Sequence, residues 1–268
     1  MKALELKGTF ALVTGASSGL GMEFARQLAH RGASLILTAR SRDRLQRLAT
    51  DLANINGVTT HFVVADLSNS EGIDGLLRDV DALSVPVSHV INNAGFGSTG
   101  VLAQSDAATQ RRMLRVNVEA MVALSQHFLP AMLARQSGGI IQVASTSGYQ
   151  PTPFMATYGA TKAFVLSFSQ ALFEETRGQN VRCTVVCPGP VPTGFQQVAG
   201  VPRSRLLSAA QLEPRQVVEE ALEAYTQGEA VVVPGKLNTV HTTAVKVLPG
   251  GLVRSAARLA MRSLGRQS

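Results

Sequence analysis

The sequence predicts an α/β protein: a single domain built on a doubly wound parallel sheet of about seven strands, with helices on both faces. Two observations predict it. Seven short runs rich in Val, Ile or Leu, each bounded by Gly, Pro, Asn or Asp, alternate with longer stretches whose apolar residues recur at helical spacing. A turn rich in glycine and serine then joins the first run to the first helical stretch. Unbroken apolar runs suit strands buried on both faces. Parallel neighbours need a crossover, usually a right-handed one through a helix. With 268 residues and 45% hydrophobic content, the chain is long enough to bury a sizeable core.

The strand runs lie at 10–13, 34–38, 60–64, 88–92, 140–143, 181–186 and 230–233, and helical periodicity is strong at 22–30, 43–54, 107–136 and 157–177. No repeat, linker or low-complexity segment interrupts them. Residues 1–235 read as the sheet domain and 236–268 as an extension of it with a different composition. The net charge of +7 is concentrated there: no acidic residue follows Glu229, whereas Lys236, Lys246, Arg254, Arg258, Arg262 and Arg266 do. The body is near neutral, which argues against a nucleic-acid partner. Cys183 and Cys187 fall on one strand, about 13 Å apart and too far for a disulfide, as in a reducing, cytoplasmic setting. Residues 1–9 do not read as a secretory leader, and no apolar run approaches the ~18 residues of a membrane span. The five histidines are scattered, so no metal site is expected.

The turn after the first strand reads Thr14-Gly15-Ala16-Ser17-Ser18-Gly19-Leu20-Gly21. Glycines let the backbone turn sharply and approach a ligand, and the helix that follows offers free N–H groups and a partial positive charge to a pyrophosphate. Placed on the first strand of an alternating chain, this is a dinucleotide cradle in a Rossmann-type fold. At the end of the second strand, where an acidic residue would take a ribose 2′-hydroxyl, stands Arg40, with Arg42 and Arg44 just beyond. A guanidinium there suits a 2′-phosphate, so NADP(H) is the expected cofactor, although Asp43 lies close by. Tyr158 and Lys162, four apart in a helical stretch, fall on one face. A cation beside a phenol lowers its pKa from about 10 and lets the pair exchange a proton with a substrate oxygen.

These motifs together resemble the short-chain dehydrogenase/reductases, from about residue 8 to residue 234. The glycine motif is matched at 14–21, Asn-Asn-Ala-Gly at Asn92, Asn93, Ala94 and Gly95, the adenine-side aspartate at Asp66 followed by Leu67, the helix asparagine at Asn117, the serine at Ser145, and Pro-Gly-x-Val-x-Thr at Pro188, Gly189, Val191 and Thr193. The resemblance implies catalysis by Asn117, Ser145, Tyr158 and Lys162, with hydride transfer between nicotinamide and a carbonyl or secondary alcohol. Ser145 would hold the substrate oxygen and Tyr158 would carry the proton. Lys162 would lower the Tyr158 pKa and hold the nicotinamide ribose, and Asn117 would hold a water linking Lys162 to solvent. Ser147 rivals Ser145, and Asn117 reads equally as a kink residue. Cofactor contacts are implied for Gly15, Ser17, Ser18, Gly19, Leu20, Gly21, Arg40, Asp66, Leu67, Asn93, Ala94, Gly95, Tyr158, Lys162, Pro188, Gly189, Val191 and Thr193, with Asn92 structural. A homodimer or homotetramer is implied as well.

By position, Phe96, Gly97, Gln150, Phe154, Phe195 and Gln196 line a substrate pocket, an apolar set that favours a hydrophobic ketone or aldehyde. A helix is read over 252–264 with Arg254, Arg258 and Arg262 on one face. It either meets an anionic membrane weakly, covers the active site, packs on a second subunit, or is simply solvated.

Overall fold

A computed structural model describes residues 6–200 and 211–262, with the side chains of 196–198 left aside. Seven parallel strands form one sheet in the order β3-β2-β1-β4-β5-β6-β7. They are β1 (Phe10–Thr14), β2 (Ser34–Ala39), β3 (Thr60–Val64), β4 (Val87–Asn92), β5 (Gly139–Val143), β6 (Arg182–Val186) and β7 (Val231–Val232). Each lies within two residues of its predicted bounds. β5 and β6 are buried along their whole length, as strands covered on both faces must be.

Among the described residues the α-helices are α1 (Gly19–His30), α2 (Arg42–Asn56), α3 (Ser70–Ala82), α4 (Ala107–Leu114), α5 (Ala120–Ala134), α6 (Ala156–Glu175), α7 (Gly194–Ala199), α8 (Pro214–Gln227), α9 (Lys236–Val247) and α10 (Gly250–Ala260). One core layer packs α1, α2 and α8 on the sheet through Phe24, Leu28, Leu45, Leu222 and Tyr225. The other packs α3, α5 and α6 through Leu76, Leu124, Phe128 and Leu172. The strand order reverses between β1 and β4. A crevice therefore opens at the C-terminal ends of these two strands, where the crossovers leave to opposite faces.

The structure differs from two expectations. The helix expected over 107–136 is α4 and α5 joined by a π-helical segment, Arg115–Glu119. The helix expected over 252–264 is α10, which ends at Ala260 with Leu264 outside the described residues, and α9 precedes it.

Candidate active site

The glycine loop is shaped for an anion. Gly15 (φ 67°) and Gly19 (φ 55°) take left-handed conformations, which only glycine adopts without strain. A Cβ on Gly21 would collide with the Gly15 carbonyl, so α1 can rise directly out of the loop only with glycine there. Ser18 at the N-cap makes no capping hydrogen bond with its side chain, and the first turn of α1 holds no acid. The amides and the positive end of the helix are left for a ligand. Thr14 ties the loop to β4: its Oγ accepts from the amides of Asn93 (3.0 Å) and Ala94 (2.9 Å), and Asn93 Nδ2 donates to the Thr14 carbonyl (2.8 Å). Ala16 N donates to the Thr38 carbonyl (3.1 Å), which sets the loop against the end of β2.

Arg40 stands exposed at that end, with no ion pair to it among the described residues. Arg42 lies 5.8 Å over the Phe62 ring. Asp66 is exposed and accepts from Ser68 N (3.0 Å), forming a local turn, while Leu67 is buried. Asn92 is buried and donates to the Met121 carbonyl and to Ser125 Oγ, inside the fold. Thr193 overhangs the loop; a Cβ on Gly19 would stand 3.2 Å from its side chain.

Beside this cradle α6 presents Tyr158 and Lys162, both buried. Ser145 lies near enough to the Tyr158 phenol to lower it, and its hydroxyl donates to the Pro188 carbonyl (3.4 Å). It also accepts from Ser147 N (3.1 Å), and Ser145 rather than Ser147 is the serine that acts on the phenol. Lys162 Nζ donates to the Val143 carbonyl (2.7 Å) and lies 5.8 Å from the Tyr158 ring centroid. Asn117 sits on the π-helical segment and pairs with the Phe96 backbone in both directions, its Oδ1 accepting and its Nδ2 donating at 3.0 Å each. Nδ2 also reaches Thr161 Oγ (3.0 Å). This clamp lays the Gly95 backbone over the pair: a Cβ on Gly95 would be 3.1 Å from Asn117 Oδ1 and 3.5 Å from Lys162 Nζ.

Charge behaves differently here from the sequence expectation. Tyr158 is pushed up to about 12 by burial, which outweighs the lowering by Ser145. Lys162 is pushed down to about 8 by burial, against a smaller upward pull from Cys187. The net effect on the phenol is therefore upward, although Lys162 stands beside it. Both groups are desolvated, and desolvation penalises phenolate and ammonium alike.

An apolar wall packs around the phenol ring. Met113, Met155, Tyr158 and Ala199 form a cluster against which Phe96, Phe154, Phe195 and Met261 pack. Tyr158 and Phe195 rings are 5.3 Å apart, and Gly97 is confined between Phe195, Met155 and Tyr158. Phe154 is held in the left-handed region (φ 64°), its carbonyl accepting from Gly100 N (2.9 Å). A bulky residue rarely adopts that conformation outside a constrained site.

The model of the short chain dehydrogenase family matches residues 9–201. The chain belongs to that family. An uncharacterized oxidoreductase of Bacillus subtilis (strain 168) is 30% identical over 94% of this chain and 99% of its own length. Among solved structures, a short-chain dehydrogenase from Sphingobium yanoikuyae in complex with NADPH is 29% identical, covers 97% of each chain and superposes with a TM-score of 0.80. A family protein from Burkholderia phymatum in complex with NAD is 28% identical over 90% of this chain and 93% of its own, with a TM-score of 0.80. The bulky-bulky ketone specific alcohol dehydrogenase from Comamonas testosteroni is 27% identical over 97% and 96%, with a TM-score of 0.75. This protein is thus an oxidoreductase of the short-chain dehydrogenase type, and its solved relatives bind NADPH or NAD.

For this short-chain dehydrogenase the fold brings Asn117, Ser145, Tyr158 and Lys162 to one place, beside the glycine loop and the Asn93–Gly95 segment. Of the pocket residues read from sequence, Phe96, Gly97, Phe154 and Phe195 converge on Tyr158. Gln150 is outside that cluster, in the turn where its carbonyl accepts from Thr152, and the Gln196 side chain lies outside the described residues. Met113, Met155 and Met261 were not foreseen in this role. Met113 and Met261 show only apolar helical spacing in the sequence and Met155 lies in a loop before α6, and neither signal says where they meet.

The extension is built into the site as well. Asn238 of α9 is buried against Gly189, where a Cβ would strike it. Lys246 lies 5.0 Å over the Tyr149 ring, in the turn that begins at Ser145. Met261, at the end of α10, closes on the cluster around Tyr158.

Proposed function

We propose that the protein is an NADP(H)-dependent reductase of hydrophobic ketones or aldehydes, running in reverse as an alcohol dehydrogenase. The observation that carries this reading is the buried Tyr158 phenol beside Ser145, with Lys162 one helical turn on, set next to an uncapped glycine loop.

The residues fit the cofactor. Gly15, Ser17, Ser18, Gly19, Leu20 and Gly21 would cradle the pyrophosphate, Arg40 the 2′-phosphate, and Asp66 and Leu67 the adenine side. Asn93, Ala94 and Gly95 would line its path, with Pro188, Gly189, Val191 and Thr193 on the nicotinamide side. When bound, the nicotinamide supplies a hydride to the carbonyl carbon, or takes one back. Ser145 donates a hydrogen bond that holds the substrate oxygen at the phenol. Tyr158 delivers its proton to that oxygen, so hydride and proton together convert carbonyl to alcohol. Lys162, as a cation, stabilises the phenolate left behind until it is reprotonated. Asn117 positions Gly95 and Phe96 over the pair, and the water that links Lys162 to solvent would lie at the π-helical turn.

The apolar wall of Phe96, Phe154, Met155, Phe195 and Met261 supports a lipophilic substrate, and a Comamonas relative acts on bulky ketones. A homodimer through α4 and α6 is supported by Leu114 and Phe164, which are 47% and 42% exposed on those helices. Two free, buried thiols accord with a cytoplasmic setting.

A panel of lipophilic and polar ketones, each assayed with NADPH and NADH at the nicotinamide absorbance band, tests the reading. Lipophilic ketones with NADPH should give the highest kcat/KM, and Arg40→Ala should raise KM for NADPH while leaving NADH unchanged. Turnover with NADH alone, insensitive to Arg40, refutes the cofactor assignment, and equal rates on polar ketones refute the substrate class.

A further inference from the structure

Helices α9 and α10 carry apolar residues on the sides they turn to solvent. In α9 the buried residues are polar: Asn238 and Thr242 are 4% and 2% exposed, and Asn238 donates to the Pro234 carbonyl (2.8 Å). Leu237, Val240 and Val247 face the other way, at 62%, 67% and 78% exposure. At 3.6 residues per turn these three fall on one side, opposite Asn238 and Thr242. An ordinary surface helix has this arrangement reversed. In α10, Val253 and Ala257 are buried, while Leu252 and Leu259 are exposed on a neighbouring strip. With Leu248 at the joint, six of the twelve exposed large hydrophobic residues among those described lie between 237 and 259. Scattered exposed leucines need no explanation, but a concentrated set marks a contact surface.

Charge selects what meets it. After Glu229 the sequence has no acidic residue and six lysines or arginines. Arg254 and Arg258 lie on α10 next to the Leu252–Leu259 strip. A second copy docking this face on itself through a two-fold axis would set arginine against arginine. An anionic lipid surface answers both features, with acyl chains for Leu and Val and headgroups for the cations. Among the described residues no helix is long and apolar enough to cross a membrane, so such contact is peripheral.

We propose that the outward faces of α9 and α10 dock this protein on anionic membrane surfaces. The docking does not depend on the reductase reading and is measured without turnover. In co-sedimentation with vesicles, the full chain should bind phosphatidylcholine–phosphatidylglycerol vesicles at low salt. It should leave phosphatidylcholine vesicles in the supernatant and be released from the anionic ones by high salt. Leu252→Asp/Leu259→Asp and, separately, Arg254→Glu/Arg258→Glu should weaken binding about tenfold or more. Their melting temperatures should stay near wild type, since all four side chains are exposed. Failure of the wild type to bind anionic vesicles overturns the proposal, and so does undiminished binding by the leucine variant. If the leucine variant instead dissociates a dimer in vesicle-free light scattering, the face joins copies of this chain and the membrane assignment falls.

Discussion

Two buried tyrosines stand at opposite ends of the same sheet. Tyr158 lies at the C-terminal ends of the strands, its phenol near Ser145 and its ring against Phe195. Tyr225, on α8, lies at the other end, where its hydroxyl meets His89 Nδ1 at 2.8 Å. Burial raises both phenols, Tyr225 despite the nearby Arg135 and Arg182. A basic partner is close to each: Lys162, pushed down to about 8, and His89, pushed down to about 4, both chiefly by burial. Desolvation and a shifted pKa therefore do not distinguish an active site from a core polar cluster. Their neighbours do. Around Tyr158, Gly95 and Gly97 keep the backbone close with no side chain between, next to the glycine loop. Around Tyr225 the strands themselves close the space, since a Cβ on Gly139 would stand 2.7 Å from its hydroxyl.

The largest expected effect separates the two residues. Tyr158→Phe removes the proton donor, and turnover should fall by about 10²–10⁴ with NADPH binding retained. Tyr225→Phe should leave turnover close to wild type but strand His89 Nδ1, lowering stability by about 1–3 kcal/mol in denaturant titration. Near-normal turnover in Tyr158→Phe means that another acid does the work, and the comparison fails.

The two basic partners then separate by pH. Lys162 is a cation below about 8 and loses its charge above. The rate of reduction should therefore fall as pH rises through about 8, and Lys162→Arg should move that limb to higher pH. His89 acts on stability. Unfolded, it takes a proton near its ordinary 6.5; folded, it resists until about 4. Between these values the unfolded chain binds more protons, so stability should drop as pH falls through that window, by up to ~3 kcal/mol. His89→Gln should remove that part of the acid limb, as read from the pH dependence of the denaturation midpoint.

The sequence made the glycine-loop end of the sheet far more legible than its surroundings. Parallel strands buried on both faces announce themselves as apolar runs, so β1 to β6 were readable to within a residue. The glycine loop and the Tyr158/Lys162 pair were readable because local spacing alone fixes their geometry. What escaped depends on tertiary placement. The π-helical turn at Asn117 looks like ordinary helix in apolar periodicity, and its stabilisation comes from the Phe96 backbone, twenty-one residues away. The fold of α9 was hidden because its buried side is Asn238 and Thr242, so its apolar residues point away from the core. The expected lowering of Tyr158 did not appear because burial, which spacing along a helix does not reveal, dominates both groups.

Met261 provides the finest test of the difference between the two tyrosines. It comes from the extension, more than a hundred residues beyond Tyr158 in sequence, yet it packs on the same cluster as Met113 and Met155. If that cluster walls a substrate cleft, a thioether there contributes contact with substrate that is alike in ground and transition states. Removing such contact raises KM and leaves kcat alone. Met261→Ala should therefore raise KM for a bulky lipophilic ketone about three- to tenfold, consistent with ~1 kcal/mol of lost apolar contact, with little change for a small ketone. Were Met261 only packing, truncation would lower the melting temperature and leave the ratio of kcat/KM for bulky and small ketones where it was. Steady-state kinetics on such a pair, beside a thermal melt, separates the two outcomes.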